Sequence, residues 1–380
     1  KRMKKIVLTG GPGAGKTSAL PLLKKKLEDA GVEAGILTET ATEVLAENIS
    51  PDTVGLYCFQ KEIFERQIRK ESEWVDQKPE LLLLDRGLGD HEVYLGKGLY
   101  KRLLQEERMQ DDEINSRYDG VVIMETSAAL GCYKQQENNA LRLEDDEQAR
   151  KLDELFVQVW RNHPHTIRIP ACSSFEDKVE HVFQAVCLLS GIEFLDVVDD
   201  RGEPTGQMVS RTYAHANKVM HRTSHVWFLR EREEKLEVLL QMRSYTKSSF
   251  PGQYDISSAG HIPAGSSYRT SAVREIKEEL GIDVLEAELV ECMDRKVIWD
   301  DRFFGREFHD RQISKVFYVV KDVDEDVFRL QKEEVDHVRW MDLEECIDAV
   351  IKHTIPNCIA VEELESVKST YEKAKRKKGL

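Results

Sequence analysis

The chain has 380 residues, enough for two domains that each bury a core of their own. Its formal net charge of −15 argues against nonspecific binding to nucleic acid or to an anionic membrane surface. No apolar run approaches the roughly 20 residues of a membrane span, and seven scattered cysteines without a CxxC pair favour a reducing, cytoplasmic setting.

Apolar segments alternate with amphipathic helical segments through the first half of the chain, and no signal-peptide core precedes the first of them. Strands are predicted at Lys5–Thr9, Glu33–Leu37, Leu81–Asp85, Val121–Glu125 and Thr166–Ile169. Helices are predicted near residues 16–30, 55–77, 145–162 and 174–190. Strands separated by helices are typical of an α/β fold with a parallel sheet covered on both faces.

The first strand is followed by GGPGAGKT, which fits the phosphate-binding pattern GxxxxGK[ST] and precedes a predicted helix. Glycines allow the backbone amides to curl around phosphate oxygens. Lys16 would place its charge on the terminal phosphates, and Thr17 would hold Mg²⁺. The predicted residues of this ATP or GTP site are Gly10, Gly13, Gly15, Lys16, Thr17 and Ser18.

Two carboxylates stand at or just after the ends of predicted strands. Asp85 ends a run of four leucines, where a carboxylate suits the orientation of Mg²⁺ beside the phosphate loop, and metal binding is also predicted for it. The alternative is that Asp85 only caps the next turn. Glu39 is a candidate substrate or base carboxylate, with stabilisation of a helix N-terminus as the alternative.

Residues 1–190 resemble AAA-like P-loop domains related to nicotinamide riboside kinases. The resemblance is carried by GGPGAGKT, TETATEVL, FQKEIFERQ, DRGLGDHEVYL and ENNALRLEDDEQARKLDELFVQVWRNHPH. In that family the last segment is a lid whose basic residues reach the phosphates, which makes Arg142 and Arg161 candidates, unless they are ordinary surface arginines. The family contains kinases and nucleotide-binding switches, so the resemblance implies a P-loop NTPase fold and a nucleotide site but no particular reaction.

The pattern changes near Ser190, where IEFLDVVDDRGEPTG predicts a strand and then a turn. We therefore predict a nucleotide-binding domain at residues 1–190 and a second domain at residues 191–380. Further strands are predicted at about 225–230, 236–241, 313–320 and 335–341, and helices near 342–352 and 360–377. The basic and aromatic residues between 295 and 311 predict a loop that faces the substrate, or a plain loop with partly buried aromatics.

Residues 260–282, GHIPAGSSYRTSAVREIKEELGI, place three carboxylates at positions i, i+3 and i+4 of a predicted helix, namely Glu275, Glu278 and Glu279. These positions share one face, so the like charges repel unless a cation neutralises them. A divalent cation with hard oxygen ligands fits that face. The alternative is a solvated amphipathic helix, which Gly281 would end in either case.

This segment resembles the Nudix box, which runs G, five residues, E, seven residues and REUxEExGU, where U is apolar. Residues 192–345 resemble the branch of Nudix proteins nearest to isopentenyl diphosphate isomerase. The matching pieces are FLDVVDDRGEPTG, HANKVMHRTSHVWFL and LLQMRSYTKSSFPGQYDISSAGHIPAG. The resemblance implies an α/β/α sandwich in which helix carboxylates hold Mg²⁺ or Mn²⁺, and the metal activates water for attack on a diphosphate.

The same resemblance implies particular roles for five residues. Glu278, Glu279 and the carbonyl group of Gly260 would be metal ligands. Glu275 would be a ligand or an orienting base, and Arg274 would hold the helix carboxylates in place.

The isomerase itself pairs a catalytic cysteine with a glutamate and has a histidine-rich metal site. His215, His221 and His261 stand at comparable places, where metal or phosphate contact and a purely structural role are both open. The cysteine position is occupied by Ala259, so allylic proton transfer would lack one of its acid–base partners. The sequence therefore disfavours isomerase activity.

Two positions depart from the hydrolase pattern. Ser266 replaces the glutamate that pairs with the motif arginine, so Arg274 must find another partner. Gln312 stands where relatives often place an acidic residue before a late strand. With three helix carboxylates retained, we expect hydrolysis to survive.

The sequence therefore predicts a P-loop nucleotide-binding domain followed by a Nudix hydrolase domain. The expected activity is Mg²⁺-dependent cleavage of a diphosphate linkage in a nucleoside diphosphate derivative, beside a site for a nucleoside triphosphate. The alternative is a P-loop small-molecule kinase, or a nucleotide-gated regulator, whose Nudix domain binds its ligand with weak or no turnover.

Overall fold

The computed structural model describes residues 2–126, 146–247, 249–303 and 306–377, with side chains described outside 146–150, 301–303 and 306–308. The chain divides into two compact units, Lys1–Ile192 and Glu193–Leu380. Within the described residues, no helix is both long enough and apolar enough to cross a membrane.

The first unit is built on a five-stranded parallel sheet with the order β2-β3-β1-β4-β5. Its strands are β1 (Lys4–Thr9), β2 (Ala34–Leu37), β3 (Leu81–Asp85), β4 (Gly120–Met124) and β5 (Thr166–Ile169). Its helices are α1 (Lys16–Asp29), α2 (Thr40–Ala46), α3 (Pro51–Val54), α4 (Leu56–Gln77), α5 (His91–Glu106), α6 (Asp111–Ser116), α7 (Asp146–Trp160) and α8 (Phe175–Ser190).

Helices cover both faces of this sheet, which explains why its central strands are apolar along their whole length. Helices α1 and α8 pack on one face, and α4, α5 and α7 pack on the other. In β3, Leu81–Leu84 are all fully buried, as expected for a strand covered on two sides. Because β1 leads into α1 and lies beside β3, the phosphate-binding segment and Asp85 meet at the carboxyl edge of the sheet.

The second unit contains a seven-stranded mixed sheet with the order β10-β9-β8-β13-β12, to which β11 adds beside β8 and β14 beside β9. A separate hairpin joins β6 and β7. The strands are β6 (Phe194–Val198), β7 (Pro204–Ser210), β8 (His221–Arg232), β9 (Lys235–Arg243), β10 (Tyr254–Asp255), β11 (Ser258–His261), β12 (Val290–Phe303), β13 (Arg306–Val320) and β14 (Val335–Asp342). The helices are α9 (Arg211–Ala216), α10 (Tyr268–Leu280), α11 (Leu343–Ile351) and α12 (Val361–Lys377).

Alternating side chains of β8 bury the two faces of this sheet against different helices. Val226 and Phe228 pack in the core that contains α10 residues such as Ile276. Trp227 and Leu229 pack in the core that contains α11 and α12. The predicted α/β/α sandwich is confirmed.

The prediction of a loop between residues 295 and 311 is wrong. Those residues belong to β12 and β13, which pair in antiparallel register from Val290 opposite Tyr318 to Phe303 opposite Arg306. Strand β13 therefore begins before the predicted start at 313, and Gln312 lies inside it. The alternation of charged and large apolar residues in this segment is the period of a strand, whereas its many charges considered alone are typical of a loop.

Candidate active site

The segment between β1 and α1 is a tight loop built on glycines. Gly13 and Gly15 have left-handed φ angles of 72° and 87°. Gly10 has φ 137°, and a Cβ there would lie 2.1 Å from a carbonyl oxygen of β4, so only glycine fits. The buried Lys16 donates from Nζ to the carbonyl oxygens of Gly10 at 2.9 Å and Gly11 at 3.2 Å. The loop thus closes around its own lysine.

The charges beside this loop are buried and strongly coupled. Burial, together with the nearby Arg86 guanidinium, lowers the pKa of Lys16 to about 7. Thr17 Oγ1 donates to Asp85 Oδ2 at 3.1 Å, while Asp85 Oδ1 is buried with no hydrogen-bond partner among the described residues. Burial raises the pKa of Asp85. Ser18 lies exposed beside Thr17 on the first turn of α1.

Arg86 is a residue of this site that the sequence reasoning missed. Its side chain is largely buried, its Nε donates to Glu39 Oε1 at 3.1 Å, and one Nη lies 3.4 Å from the Gly10 carbonyl oxygen. The sequence feature that could have indicated Arg86 is its position directly after Asp85. Of the two predicted lid arginines, Arg161 is exposed just past α7, and Arg142 lies outside the described residues.

In the second unit, helix α10 ends at Gly281, where the sequence predicts its end. The Ser267 side chain caps its N-terminus by accepting from a backbone amide of the first turn, and Gly281 ends it with φ 70°. Ala272, Ile276 and Leu280 are fully buried against the sheet. The helix is therefore fixed in rotation, with its acidic face turned to a cavity.

Glu275, Glu278 and Glu279 all line this cavity, which has a volume of about 800 Å³. Glu279 is buried, and its Oε2 accepts from Ser258 Oγ at 2.8 Å. Burial raises the pKa of Glu279 to about 8 and that of Glu275 to about 7. Glu278 is half-exposed.

Arg274 has the partners that the sequence left open. Its guanidinium donates to Glu275 Oε1 at 2.7 Å and to Glu278 Oε2 at 3.2 Å. Ser266 is not among the cavity-lining residues described, and its carbonyl oxygen accepts from Arg222 at 3.0 Å. The helix carboxylates thus replace the missing acidic partner of Arg274.

Gly260 on β11 lies directly against the acidic face of α10. A Cβ at this position would be 2.5 Å from both Cγ and Cδ of Glu275. The backbone of β11 therefore approaches the carboxylate more closely than any other residue type would allow.

Both signs of charge meet in the cavity. Of the described residues, eight carboxylate side chains and six lysine or arginine side chains line it. The rings of Phe250 and Trp299 also line it, with centroids 5.3 Å apart, and so does Gln312. The excess of carboxylates means that a polyanion needs accompanying cations in order to bind there.

Family models match both units, and the similar proteins are Nudix hydrolases. A family model described as an AAA domain matches residues 5–178, and one described as a NUDIX domain matches residues 220–358. Nudix hydrolase 3 of Arabidopsis thaliana is 40% identical over 160 residues, which are 40% of this chain and 20% of that protein. An uncharacterized Nudix hydrolase of Clostridium acetobutylicum is 33% identical over 143 residues, which are 38% of this chain and 66% of that protein. Another, of Listeria innocua, is 30% identical over 150 residues, which are 40% of this chain and 80% of that protein.

The chain belongs to the Nudix hydrolase family. It spans only a fifth of the length of its Arabidopsis thaliana relative and 66% of the Clostridium acetobutylicum one. The crystal structure of DR0079 from Deinococcus radiodurans aligns with a TM-score of 0.36 and 19% identity, covering 47% of this chain and 99% of that one.

A cluster of three imidazoles adjoins the Nudix carboxylates. The ligand atoms of His215, His221 and His261 all lie within 4.8 Å of one another. His221 Nδ1 donates to a backbone carbonyl at 2.9 Å, which leaves Nε2 for another role. That Nε2 and Asp310 Oδ1 are 3.8 Å apart, and neither has a hydrogen-bond partner among the described residues. Burial lowers the pKa of each of the three histidines.

Two further residues of the Nudix cavity were missed by sequence reasoning. His225 and Glu363 line it together, and His225 Nδ1 donates to Glu363 Oε1 at 2.9 Å across 138 residues of sequence. A lone glutamate in an amphipathic helix carries no signal that its carboxylate is buried. A contact this distant becomes visible only in the folded chain.

Proposed function

We propose that the Nudix unit hydrolyses a diphosphate linkage in a nucleoside diphosphate derivative or a related small-molecule diphosphate, using Mg²⁺ or Mn²⁺. The observation that carries this proposal is the close packing of the α10 carboxylates against the glycine backbone of β11 within one cavity. Glu275 and Glu279 are carboxylates whose charged forms burial disfavours. A bound divalent cation is the natural means of keeping both ionised.

The residues that would hold the ion are Glu275, Glu278, Glu279 and the carbonyl group of Gly260. A cation bound there would neutralise diphosphate charge and would lower the pKa of a water molecule for attack on phosphorus. Arg274 keeps the side chains of Glu275 and Glu278 oriented through its two hydrogen bonds. Because Ala259 offers no thiol, we propose no isomerase activity.

The rest of the cavity supports a nucleoside as part of the substrate. Phe250 and Trp299 present two neighbouring aromatic rings to the space, and aromatic faces stack readily on bases. Arg243 and Lys247 line the same wall and are suited to phosphate oxygens.

A substrate panel tests this proposal. Dinucleotide polyphosphates, nucleotide sugars and prenyl diphosphates are incubated with the protein and Mg²⁺, and phosphate-containing products are separated by chromatography. We expect turnover of a nucleoside-containing member, lost in Glu278→Gln and kept in Lys16→Ala. Tight binding without turnover across the panel would contradict hydrolysis and support the regulator.

The histidine cluster is a candidate second cation site. His215, His221 and His261 offer nitrogen ligand atoms close together, and Asp310 adds a carboxylate oxygen 3.8 Å from His221 Nε2. His221 Nε2 and Asp310 Oδ1 are buried without hydrogen-bond partners among the described residues, which suits an ion such as Zn²⁺ or Mn²⁺. Metal analysis of the purified protein tests this assignment. We expect stoichiometric metal in the wild type and its loss in His221→Ala, and a metal-free wild type after incubation with either ion would contradict the site.

For the first unit, we propose binding of ATP or GTP with Mg²⁺ at the loop 10–17. Thr17 and Asp85 would hold the ion, since Asp85 has one buried oxygen without a hydrogen-bond partner in the described part of the chain. Lys16 and Arg86 would face the phosphates. Transfer of a labelled γ-phosphate to a small molecule, abolished in Lys16→Ala, would establish a kinase. Nucleotide binding without transfer would support a switch.

We assign the two functions to residues 1–190 and 191–380 and place the protein in the cytoplasm. The six described cysteines are free thiols, which suits a reducing compartment. A fluorescent fusion imaged in the cell tests the location.

A further inference from the structure

Helices α10 and α12, which pack on opposite faces of the Nudix sheet, supply chemically different sides of the cavity. Helix α10 supplies the carboxylates Glu275, Glu278 and Glu279. From the face covered by α12 come Glu363 and the β8 residue His225, which shares this side of the strand with Trp227. The α10 side is suited to a cation, whereas the α12 side combines a carboxylate with an imidazole.

On the α12 side, Glu363 is fully buried and receives three hydrogen bonds. Its donors are His225 Nδ1 at 2.9 Å, Trp227 Nε1 at 3.2 Å and an Arg295 Nη at 3.1 Å. Two of these donors are cationic types and one carboxylate lies between them. Arg295 also donates to Glu362 at 3.1 Å, so this side offers hydrogen-bond donors to an anion without an excess of positive charge.

The hydrogen bond to Glu363 also fixes which nitrogen of His225 faces the ligand space. Nδ1 is committed to the carboxylate, and no described hydrogen bond uses Nε2. Burial alone would lower the pKa of His225, but the Glu363 carboxylate outweighs it and raises that pKa above its ordinary value. In the protonated imidazole, which the Glu363 carboxylate favours, Nε2–H is a donor that lines the cavity and is suited to a phosphate oxygen.

We propose that His225 is a phosphate-contacting residue of the Nudix cavity and that Glu363 is the positioning residue that holds it there. The inference rests on the proposed diphosphate site and adds its anion-binding side. Helix α12 thereby becomes part of the site, as the element that carries the orienting carboxylate.

The test measures binding, so that it does not depend on turnover. Methylenediphosphonate, a diphosphate analogue that cannot be hydrolysed, is titrated by calorimetry in the presence of Mg²⁺. All proteins carry Lys16→Ala, which removes the phosphate loop of the first unit as a competing site. The variants are His225→Gln, Glu363→Gln, the double variant and the matched control Glu362→Gln.

We expect His225→Gln and Glu363→Gln each to weaken binding by about tenfold, and the double variant to bind no more weakly than either single one. This non-additivity distinguishes a carboxylate that acts through His225 from one that acts by itself. Glu362 accepts from Arg295 at 3.1 Å, but its own side chain is half-exposed. Glu362→Gln should therefore bind methylenediphosphonate within about twofold of the parent.

Thermal melting of every variant separates lost binding from lost folding. Unchanged affinity in folded His225→Gln would overturn the proposal, and strictly additive losses would overturn the positioning role of Glu363. Should Glu363→Gln fail to fold, Glu363→Asp and the imidazole ¹⁵N signals of the parent protein replace it. Those signals must shift on adding methylenediphosphonate, and an unmoved His225 signal would equally overturn the proposal. Failure of hydrolysis alone leaves this result intact.

Discussion

At the scale of single residues, the Nudix cavity depends on the close approach of β11 to α10. Gly260 has no side chain between its backbone and the Glu275 carboxylate, and Arg274 holds that carboxylate from the other direction. The Glu275 carboxylate is thus positioned between the backbone of Gly260, which carries no side chain, and the guanidinium of Arg274.

We expect Gly260→Ala to lower hydrolysis about 100-fold, because the new methyl group would overlap Glu275 and displace its carboxylate. Steady-state kinetics with the best substrate of the panel measures the loss. The control is Gly98→Ala, where a Cβ meets nothing within 4 Å. Equal activity of the two variants would show that Glu275 is not held as described.

Ser266→Glu tests whether the altered Nudix box limits the enzyme. A carboxylate at this position would supply the acidic group that the Nudix box has there and that Ser266 lacks. We expect the Mg²⁺ concentration for half-maximal activity to fall severalfold, since another acidic group strengthens cation binding. If both the rate and the Mg²⁺ demand are unchanged, the arrangement around Arg274 already compensates fully.

Much of this site could be predicted from the sequence, for identifiable reasons. The spacing of Glu275, Glu278 and Glu279 encodes a helix face directly, and the glycines at 260 and 281 mark close approach and a helix end. Nothing local encodes the contact between His225 and Glu363. Its residues are distant in sequence and belong to elements that meet only through the sheet.

At the scale of elements, α10 is the part of the fold that presents the carboxylates, so its ends matter for the site. Ser267 caps the helix, and Gly281 terminates it in a left-handed conformation. Fraying of the first turn would loosen the row of side chains that faces the cavity.

Ser267→Ala should lower the free energy of unfolding of the Nudix unit by about 1 kcal/mol, because an amide of the first turn loses its acceptor. Urea denaturation measures this loss. Ser267→Asp is the matched control, since aspartate caps equally well. A loss of the same size in both variants would contradict a capping role.

The contact of helix α12 with His225 predicts how the free energy of unfolding depends on pH. The charged or titratable groups that face His225 are Glu363, Asp255, Asp310 and Arg295, together with the His261 imidazole. The pKa of His225 is raised above 6.5, so its contribution is complete below that pH and is lost as the pH rises through the raised value. The pKa of Glu363 is lowered below 4.5, so its contribution is lost as the pH falls through the lowered value.

The free energy of unfolding should therefore be highest between these two limits and decline on the alkaline side. Glu363→Gln should lower it by about 3 kcal/mol near neutral pH and flatten the alkaline decline. Denaturation series at several pH values measure both effects. Glu362→Gln should keep the wild-type dependence of the free energy of unfolding on pH. If Glu363→Gln also leaves that dependence unchanged, the His225–Glu363 pair is not its source.

Helices and strands were predictable where their hydrophobic periodicity is regular. They were missed where glycines or charged residues interrupt that periodicity. Each strand of the first sheet was predicted to within one residue at either end. Helix α5 was not predicted, because two glycines interrupt it and Gly96 has φ 71° within it. The hairpin of β12 and β13 was missed because its many charges suggested solvent-exposed loop.

At the scale of the whole molecule, each unit has a sheet and a core of its own. Ligand binding to one unit should therefore stabilise that unit by mass action. With ATP or GTP and Mg²⁺ at about 100 times Kd, we expect the free energy of unfolding of the first unit to rise by about 2.7 kcal/mol. Differential scanning calorimetry should show one of two transitions shift upward, and no shift in Lys16→Ala. A shift of both transitions would contradict this assignment.

The route by which the chain folds follows from the central pairing of β8 with β13. These strands are parallel neighbours, and contacts such as Thr223 with Ser314 close 91 residues of sequence. Closing a segment of that length costs conformational entropy before stabilising contacts form, so the pairing of β8 with β13 is slow. Glu363 can reach His225 only after that sheet exists. During synthesis the first unit is complete while the second sheet is still being made, and the contact between His225 and Glu363 is among the last features to form.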